Sequence, residues 1–209
     1  MELLDDYRGL IKEVASVSIG DDYRIERSQV YERALFALLR PGDEFLAREA
    51  FLAIMIWGRG RDNRGPALTY KMFESKDFDH TLFDPMASAS ADDCNPVASF
   101  AKLFVAGHTR IDHLRVSFGT KVLHAFGHRD DGLQPLVYDN LVHNALFDMN
   151  ESEPGTGLPN APSPRQFIHA TDYGDYCEWA CDRATEWGVA PRDVEYALFT
   201  IGLALDKDA

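Results

Sequence analysis

The stretch IDHLRVSFGTKVLHAFGHRDDGLQPLVYDNLVHNAL, residues 111–146, predicts two short helices joined by a tight turn. The spacing of its first apolar residues indicates an amphipathic helix from Ile111 to Val116. A turn at Ser117-Phe118-Gly119 follows, because glycine permits a sharp change of backbone direction. Thr120 is a good helix cap, so the second helix is predicted to begin at Lys121.

A helical hairpin of this kind directs backbone N–H groups outward at the start of its second helix. Such groups, together with the positive end of the helix dipole, bind phosphate oxygens well. We therefore expect Ser117, Phe118, Gly119 and Thr120 to contact a phosphate backbone, with the Lys121 side chain directed towards the same ligand.

An acid follows the hairpin lysine at a defined distance. Asp139 lies 18 residues after Lys121, where an apolar run ends and the next helix begins. Taken separately, an aspartate at a helix start is usually an N-cap, and a lysine after a turn is usually a solvated charge. Their joint occurrence on a hairpin, at this spacing, makes two separate structural roles a less complete explanation.

The sequence on both sides of this window has helical periodicity, and no segment alternates as paired strands do. Residues 77–95 and 150–166 are predicted to be connections, and the second contains four prolines and two glycines. We predict an all-α domain over residues 1–209, with an N-terminal helical layer (1–56) and a core (57–209). Further helices are predicted at residues 28–40, 45–58, 66–73, 96–106, 120–126, 139–148, 172–187 and 192–205.

Composition is that of one globular domain, since 45% of the 209 residues are hydrophobic and 26% are charged. The net charge of −13 argues against indiscriminate nucleic-acid binding, which depends on lysine and arginine. Two segments nevertheless carry little acid. Residues 57–76 have five basic against two acidic residues, and residues 101–129 have five against one. These segments predict a local basic face.

The chain begins with the acidic stretch MELLDDYRGL and has no apolar run of the roughly 20 residues that a membrane span needs. We expect a cytoplasmic protein with no membrane partner. Three cysteines cannot complete a disulfide framework, and Cys177 and Cys181 are interpreted as packed side chains, with a redox or metal role as the alternative. His124 and His128 have the spacing of a two-histidine metal face, but no third ligand follows, so no metal or cofactor is expected.

The residues around the hairpin resemble a known family. Gly119-Thr120-Lys121-Val122, followed by Asp139 after Pro135 and a short apolar run, is similar to the hairpin and catalytic segment of 8-oxoguanine DNA glycosylases. These enzymes belong to the helix-hairpin-helix DNA glycosylase superfamily. The resemblance implies the all-α fold of that superfamily, with Lys121 as the nucleophile and Asp139 as the residue that activates it or supports the reaction electrostatically.

A second similarity lies near the C-terminus. Glu195-Tyr196-Ala197-Leu198-Phe199 has the spacing of the family's Gln-x-x-x-Phe, in which the amide meets the Watson–Crick edge of the base and the ring stacks on its face. Residues four apart share a helix face. The resemblance implies base contacts for Glu195 and Phe199, and Trp57 is a candidate second aromatic face. A surface glutamate beside a core phenylalanine is the alternative interpretation.

Several positions depart from the family pattern. Glu195 replaces the glutamine, although a carboxylate can accept the N1–H and exocyclic N–H of guanine. Ser117 stands where the family usually has glycine, and Asn140 follows the aspartate where a phosphate contact is usual. Nothing before Trp57 resembles the family's N-terminal β-domain, so we expect a minimal bacterial-type version, similar over roughly the last 150 residues.

The function that the resemblance implies is a DNA glycosylase that excises oxidised or modified guanine from DNA. It becomes an AP lyase as well where the amine adduct rearranges to a Schiff base. Two alternatives stay open at this point. One is an enzyme of the same fold that acts on a modified nucleoside or nucleotide, and the other is a non-catalytic binding protein.

Overall fold

The computed structural model describes residues 25–59, 65–76, 78–104, 111–152, 155, 157–165 and 168–208. These residues form helices and no strand, which confirms the all-α prediction, and none of the helices in them has the length and apolar character of a membrane span. The helices are α1 (Arg27–Leu39), α2 (Glu44–Arg59), α3 (Gly65–Phe73), α4 (Phe78–Ser90), α5 (Pro96–Phe104), α6 (Val116–Gly127), α7 (Asn140–Ser152), α8 (Ala170–Trp187) and α9 (Pro191–Asp208).

Two helices, α2 and α6, form the centre of the core. The run from Ala50 to Met55 in α2 is fully buried, and so is most of α6 from Gly119 to Gly127. Helices that are apolar on most sides belong in the middle of a helical domain. α1 packs against both of them, and α3, α4 and α5 pack around the other sides.

The prediction of a connection over residues 77–95 is wrong, because α4 occupies most of it. Phe78, Leu82, Met86 and Ala89 are buried along one side of this helix. Its other side is rich in aspartate and serine, and Pro85 lies within it, so neither propensity nor composition favoured a helix. Burial of the apolar side supplies the stability that propensity does not.

The predicted hairpin is also displaced. The predicted helix from Ile111 to Val116 is wrong, because residues 111–115 form a turn. In this turn His113 has a φ of 65° and the Leu114 N–H donates to the Ile111 carbonyl at 3.1 Å. α6 begins at Val116 and runs without interruption through Gly119, so the predicted turn at Ser117-Phe118-Gly119 is wrong. Gly119 serves close packing instead, because a Cβ there would collide with the Phe104 ring of α5.

The start of α7 is capped by Asp139. Its Oδ1 atom accepts the N–H groups of Leu141 at 3.1 Å and Val142 at 3.3 Å, as an N-cap does. α7 packs closely on α9, where a Cβ on Gly202 would collide with the Leu141 carbonyl. The direction and start of α7 are therefore fixed from both sides.

The segment 135–138, which leads into Asp139, is a buried stretch without helical structure. Buried carbonyl groups need hydrogen-bond donors, and side chains from α6 and α8 supply them here. The donors are His124 Nδ1 to Pro135 O at 2.9 Å, Tyr173 Oη to Leu136 O at 2.8 Å and Tyr176 Oη to Val137 O at 3.0 Å.

Thr120 also forms hydrogen bonds with the segment 135–138, and its predicted role as a helix cap is wrong. Its side chain is fully buried in α6, where Oγ1 accepts the Tyr138 N–H at 3.0 Å and lies 3.2 Å from the Tyr138 carbonyl oxygen. Thr120 and Tyr138 each stand immediately before a candidate site residue. The bonds between them therefore fix how far Lys121 lies from Asp139.

We predict that Thr120→Val destabilises the protein by about 1–3 kcal/mol, because a buried Tyr138 N–H then has no acceptor. Thr120→Ser is the matched control, since it keeps the hydroxyl and loses only a methyl group. Urea unfolding at pH 7 measures both variants. Equal stability of Thr120→Val and wild type would contradict the role assigned to this hydroxyl.

Candidate active site

Lys121 and Asp139 form an ion pair. The Lys121 Nζ atom lies 2.6 Å from Asp139 Oδ2 and 3.4 Å from the Ser117 carbonyl oxygen. The two side chains are 9% and 14% exposed, so the pair is largely shielded from solvent. Asp139 is both an N-cap and a partner of the lysine, because Oδ1 caps α7 while Oδ2 contacts the amine.

A cavity of about 560 Å³, here called the aromatic cavity, opens beside this pair. Its volume is within the range of small-ligand sites. Five residues that the sequence singled out lie around it, although they come from three helices and a helix cap. The lining residues are Arg27, Trp57, Gly58, Lys121, Val137, Asp139, Glu195, Tyr196 and Phe199.

Glu195 is the buried acid of the aromatic cavity. It is 1% exposed, and its Oε1 atom lies 3.4 Å from Arg27 Nη2, whereas Oε2 is buried without a hydrogen-bond partner. Burial, together with the nearby Asp139, raises the pKa of this carboxyl to about 7, although Arg27 and Lys121 act in the opposite direction. A buried oxygen without a partner indicates that a donor is missing.

The aromatic lining comes from α2 and α9. Trp57 is partly buried, and the Arg27 guanidinium carbon lies 5.2 Å from the centroid of its ring. Phe199 is partly buried as well and stacks with Tyr196, with 6.3 Å between ring centroids. Glu195 and Phe199 are four residues apart on α9 and line the same cavity, as their spacing predicted.

A second cavity, here called the polar cleft, has a volume of about 730 Å³. It shares Gly58, Lys121 and Asp139 with the aromatic cavity, so the ion pair lies where the two meet. The cleft carries cationic, anionic and neutral polar groups. Its other lining residues are Ser117, Phe118, Asn140, Leu141, His143, Asn144, Ser163, Arg165 and Asp206.

The four residues predicted to bind a phosphate backbone divide into two pairs. Ser117 and Phe118 line the polar cleft. Gly119 and Thr120 are buried on the core side of α6, where they pack on α5 and bond to Tyr138, so they do not face the cleft. Of the predicted basic face, Arg61, Arg64 and Arg110 lie outside the described residues.

His124 of α6 and His128, which caps the end of that helix, have structural partners. His124 is fully buried, with Nδ1 on the Pro135 carbonyl and Nε2 2.8 Å from the Tyr31 hydroxyl, and burial lowers its pKa to about 3. His128 stacks on Tyr31 and lies 3.0 Å from Arg192 Nη1. No group of three potential metal ligands occurs within the described part of the chain.

Comparison with protein families gives one match. The model of the family described as "Putative 8-oxoguanine DNA glycosylase OGG-like protein" matches residues 5–199. The chain belongs to this family. No curated protein and no solved structure matches the chain.

Membership of the OGG-like family extends further towards the N-terminus than the sequence similarity indicated. The match begins at residue 5, ahead of Trp57, and so includes α1. It ends at Phe199, the last residue of the aromatic cavity. The whole of that cavity therefore lies within the part of the chain that the OGG-like family shares.

Sequence reasoning missed four residues that line the aromatic cavity, namely Arg27, Gly58, Val137 and Tyr196. Arg27 is the first residue of α1 and reaches Glu195 across 168 residues of sequence, so no local pattern indicates it. Gly58 directly follows Trp57 and allows close approach of Lys121, whose Cδ would lie 2.8 Å from a Cβ at this position. A glycine inside an apolar helix was the only available signal.

We predict that Glu195→Gln changes the pH dependence of stability. Because the pKa of this carboxyl rises from 4.5 to about 7 on folding, the folded protein keeps a proton that the unfolded chain releases. The protonated Glu195 side chain therefore contributes fully to the stability of the wild type below pH 4.5. This contribution is lost as the pH rises to about 7. The free energy of unfolding of Glu195→Gln, measured relative to that of wild type, should therefore rise by about 2 kcal/mol between pH 5 and pH 8.5.

Calorimetry at both pH values measures this difference, and Glu32→Gln on the exposed side of α1 is the control. Glu32→Gln should run parallel to wild type at both values. A Glu195→Gln variant that did the same would show that Glu195 ionises as an exposed carboxyl does.

Proposed function

We propose that this protein is a DNA glycosylase that excises oxidised or otherwise modified guanine. Lys121 is the nucleophile at C1′ of the deoxyribose, and Asp139 is the carboxylate that takes its proton and supports the reaction. Trp57, Glu195 and Phe199 bind the base, and Ser117 and Phe118 lie beside the DNA backbone.

The observation that carries this proposal is the position of the ion pair where two cavities meet. A glycosidic bond joins a flat, largely apolar base to a polar sugar-phosphate. An enzyme that cleaves it inside DNA must flip the nucleotide out of the duplex into a pocket. With its base in the aromatic cavity and its sugar-phosphate in the polar cleft, such a nucleotide has C1′ beside Lys121 and Asp139.

The charges of the pair suit the chemistry. Lys121 must lose a proton before it can attack, and Asp139 Oδ2, at 2.6 Å, is placed to accept it. The Nζ–C1′ bond then forms as the bond between C1′ and the base nitrogen breaks. The base leaves with that electron pair and takes up the proton that Asp139 holds. This restores the Asp139 carboxylate, which stabilises the positive charge of the amine adduct on the sugar.

An amine adduct at C1′ also accounts for the proposed lyase step. Opening of the C1′–O4′ bond gives a Schiff base between C1′ and Lys121. This group acidifies the C2′ hydrogen, and loss of that proton expels the phosphate at C3′ by β-elimination. The proposed activity is therefore bifunctional, with base release followed by strand cleavage.

We predict that wild-type protein forms a borohydride-trapped covalent adduct with a duplex that contains 8-oxoguanine, seen on a denaturing gel. Lys121→Gln forms none, because it lacks the amine. Asp139→Asn keeps the N-cap, since asparagine caps helices as well as aspartate does. Its fold should be retained while trapping slows about 10²–10³-fold through loss of the carboxylate. Lys207→Gln, which removes an exposed lysine of α9 outside the predicted basic face, is the matched control and traps as wild type does.

Each alternative has its own outcome in this experiment. Faster base release from a free modified nucleoside than from the duplex supports a nucleoside enzyme, a class that the net charge of −13 favours. Duplex binding that survives in Lys121→Gln, with no base release by wild type, supports a binding protein. A wild-type protein that gives neither adduct nor free base, while another glycosylase does so in the same buffer, contradicts the proposal.

Gly58→Ala tests the position of the amine without removing it. A Cβ at this position would lie 2.8 Å from Lys121 Cδ and 3.1 Å from Phe118 Cε1, so the lysine side chain must move. We predict at least a tenfold lower kcat with little change in KM, because misplacement of a reacting group by an ångström is costly. Single-turnover base release measures this, and an unchanged rate would contradict the assigned position of the amine.

A further inference from the structure

Arg27 is the charged residue of the aromatic cavity that the catalytic proposal does not use. It lies at the start of α1, within the match to the OGG-like family but outside the hairpin and Glu195–Phe199 motifs. Its side chain is 30% exposed and lines the cavity together with Trp57, Glu195 and Phe199. Its position at the lining, rather than on the outer surface, requires an explanation.

Contacts with Tyr31, Glu195 and Trp57 hold the guanidinium in place, the first of them through a side-chain hydrogen bond. Arg27 Nη2 lies 3.4 Å from Glu195 Oε1, and the guanidinium carbon lies 5.2 Å from the centroid of the Trp57 ring. A cation over an aromatic face and beside a carboxylate has a restricted orientation. The cavity therefore has a fixed group of donors next to a fixed group of acceptors.

Arg27 and Glu195 together have more hydrogen-bond donors and acceptors than the described residues satisfy. A guanidinium has five N–H donors, and a carboxylate accepts through two oxygens. Glu195 Oε2 is buried with no partner, whereas Oε1 is the oxygen that Arg27 contacts. A ligand that fits must bring donors for the carboxylate and an acceptor for the guanidinium, side by side.

The Watson–Crick edge of guanine has this order of groups. O6 is an acceptor, and N1–H and the N2 amino group beside it are donors. Adenine reverses the first two positions, with an amino group at C6 and an acceptor at N1. Oxidation at C8 leaves the guanine edge unchanged, so the pair would accept guanine and 8-oxoguanine alike and would reject adenine and 8-oxoadenine.

We infer that Arg27 is a specificity-determining residue, which donates to O6 of a guanine-type base while Glu195 accepts from N1–H and the N2 amino group. This inference rests on the proposed function, because it assigns the substrate edge within the same cavity. Arg27 acts on the base directly, and its role differs from merely neutralising Glu195.

The test compares duplexes that contain 8-oxoguanine or 8-oxoadenine, which differ at the edge and share the oxidised position. Wild type should favour 8-oxoguanine in kcat/KM by at least 100-fold. Arg27→Met keeps the length of the side chain and removes the donors, and it should lower that preference at least tenfold. Arg27→Lys should retain an intermediate preference. Arg33→Met, on the same helix and away from the cavity, is the matched control and should leave the preference unchanged.

The outcomes separate a reading role from a structural one. A fall of kcat/KM by the same factor on both duplexes overturns the inference, since that is the result of a disturbed cavity. An unchanged preference in Arg27→Met overturns it as well. Thermal unfolding of each variant shows that the fold is retained.

Binding measurements distinguish failure of this inference from failure of the proposed function. In the Lys121→Gln background, calorimetry gives the affinities for the two duplexes and for 8-oxoguanosine and 8-oxoadenosine. A preference of at least tenfold for the guanine form, which Arg27→Met removes, supports the inference even where wild type releases no base. Equal affinity for both forms contradicts it, whatever the enzymatic result.

Discussion

The distance between the Lys121 amine and the Asp139 carboxylate depends on how the buried segment 135–138 is held between α6 and α8. Side chains of both helices bond its carbonyl groups, and Thr120 bonds both the N–H and the carbonyl of Tyr138. Because Thr120 and Tyr138 are the chain neighbours of the pair, these bonds set its geometry. The proposed cleavage of a glycosidic bond depends on this fixed placement of two ordinary side chains.

The charges around the aromatic cavity balance one another. Two cations, Arg27 and Lys121, face two acids, Glu195 and Asp139, and each cation is paired with one acid. Burial of any of them without a partner would be costly. Asp139 lowers this cost further by capping α7, whereas Glu195 keeps one oxygen without a partner. In the proposed function, that difference separates the carboxylate assigned to the reacting bond from the one assigned to the base.

Local spacing in the sequence singled out side chains that the fold brings together, but it misplaced part of the backbone that holds them. The spacing of Lys121 to Asp139 and of Glu195 to Phe199 singled out side chains that line one cavity. The turn was misplaced because Gly119 indicates a turn by propensity, whereas its use is to admit the Phe104 ring. Helix α4 was missed because its stability comes from packing. Such long-range contacts leave no local pattern, and the contact of Arg27 with Glu195 is the clearest example.

Identification of the residue that carries the trapped sugar tests the central claim most directly. After borohydride reduction of wild-type protein with an 8-oxoguanine duplex, nuclease and protease digestion yields a peptide with a deoxyribose-derived mass, which tandem mass spectrometry assigns to one side chain. The account predicts that the mass lies on Nζ of Lys121. Its presence on another lysine or on the α-amino group, with Lys121 unmodified, would contradict the account.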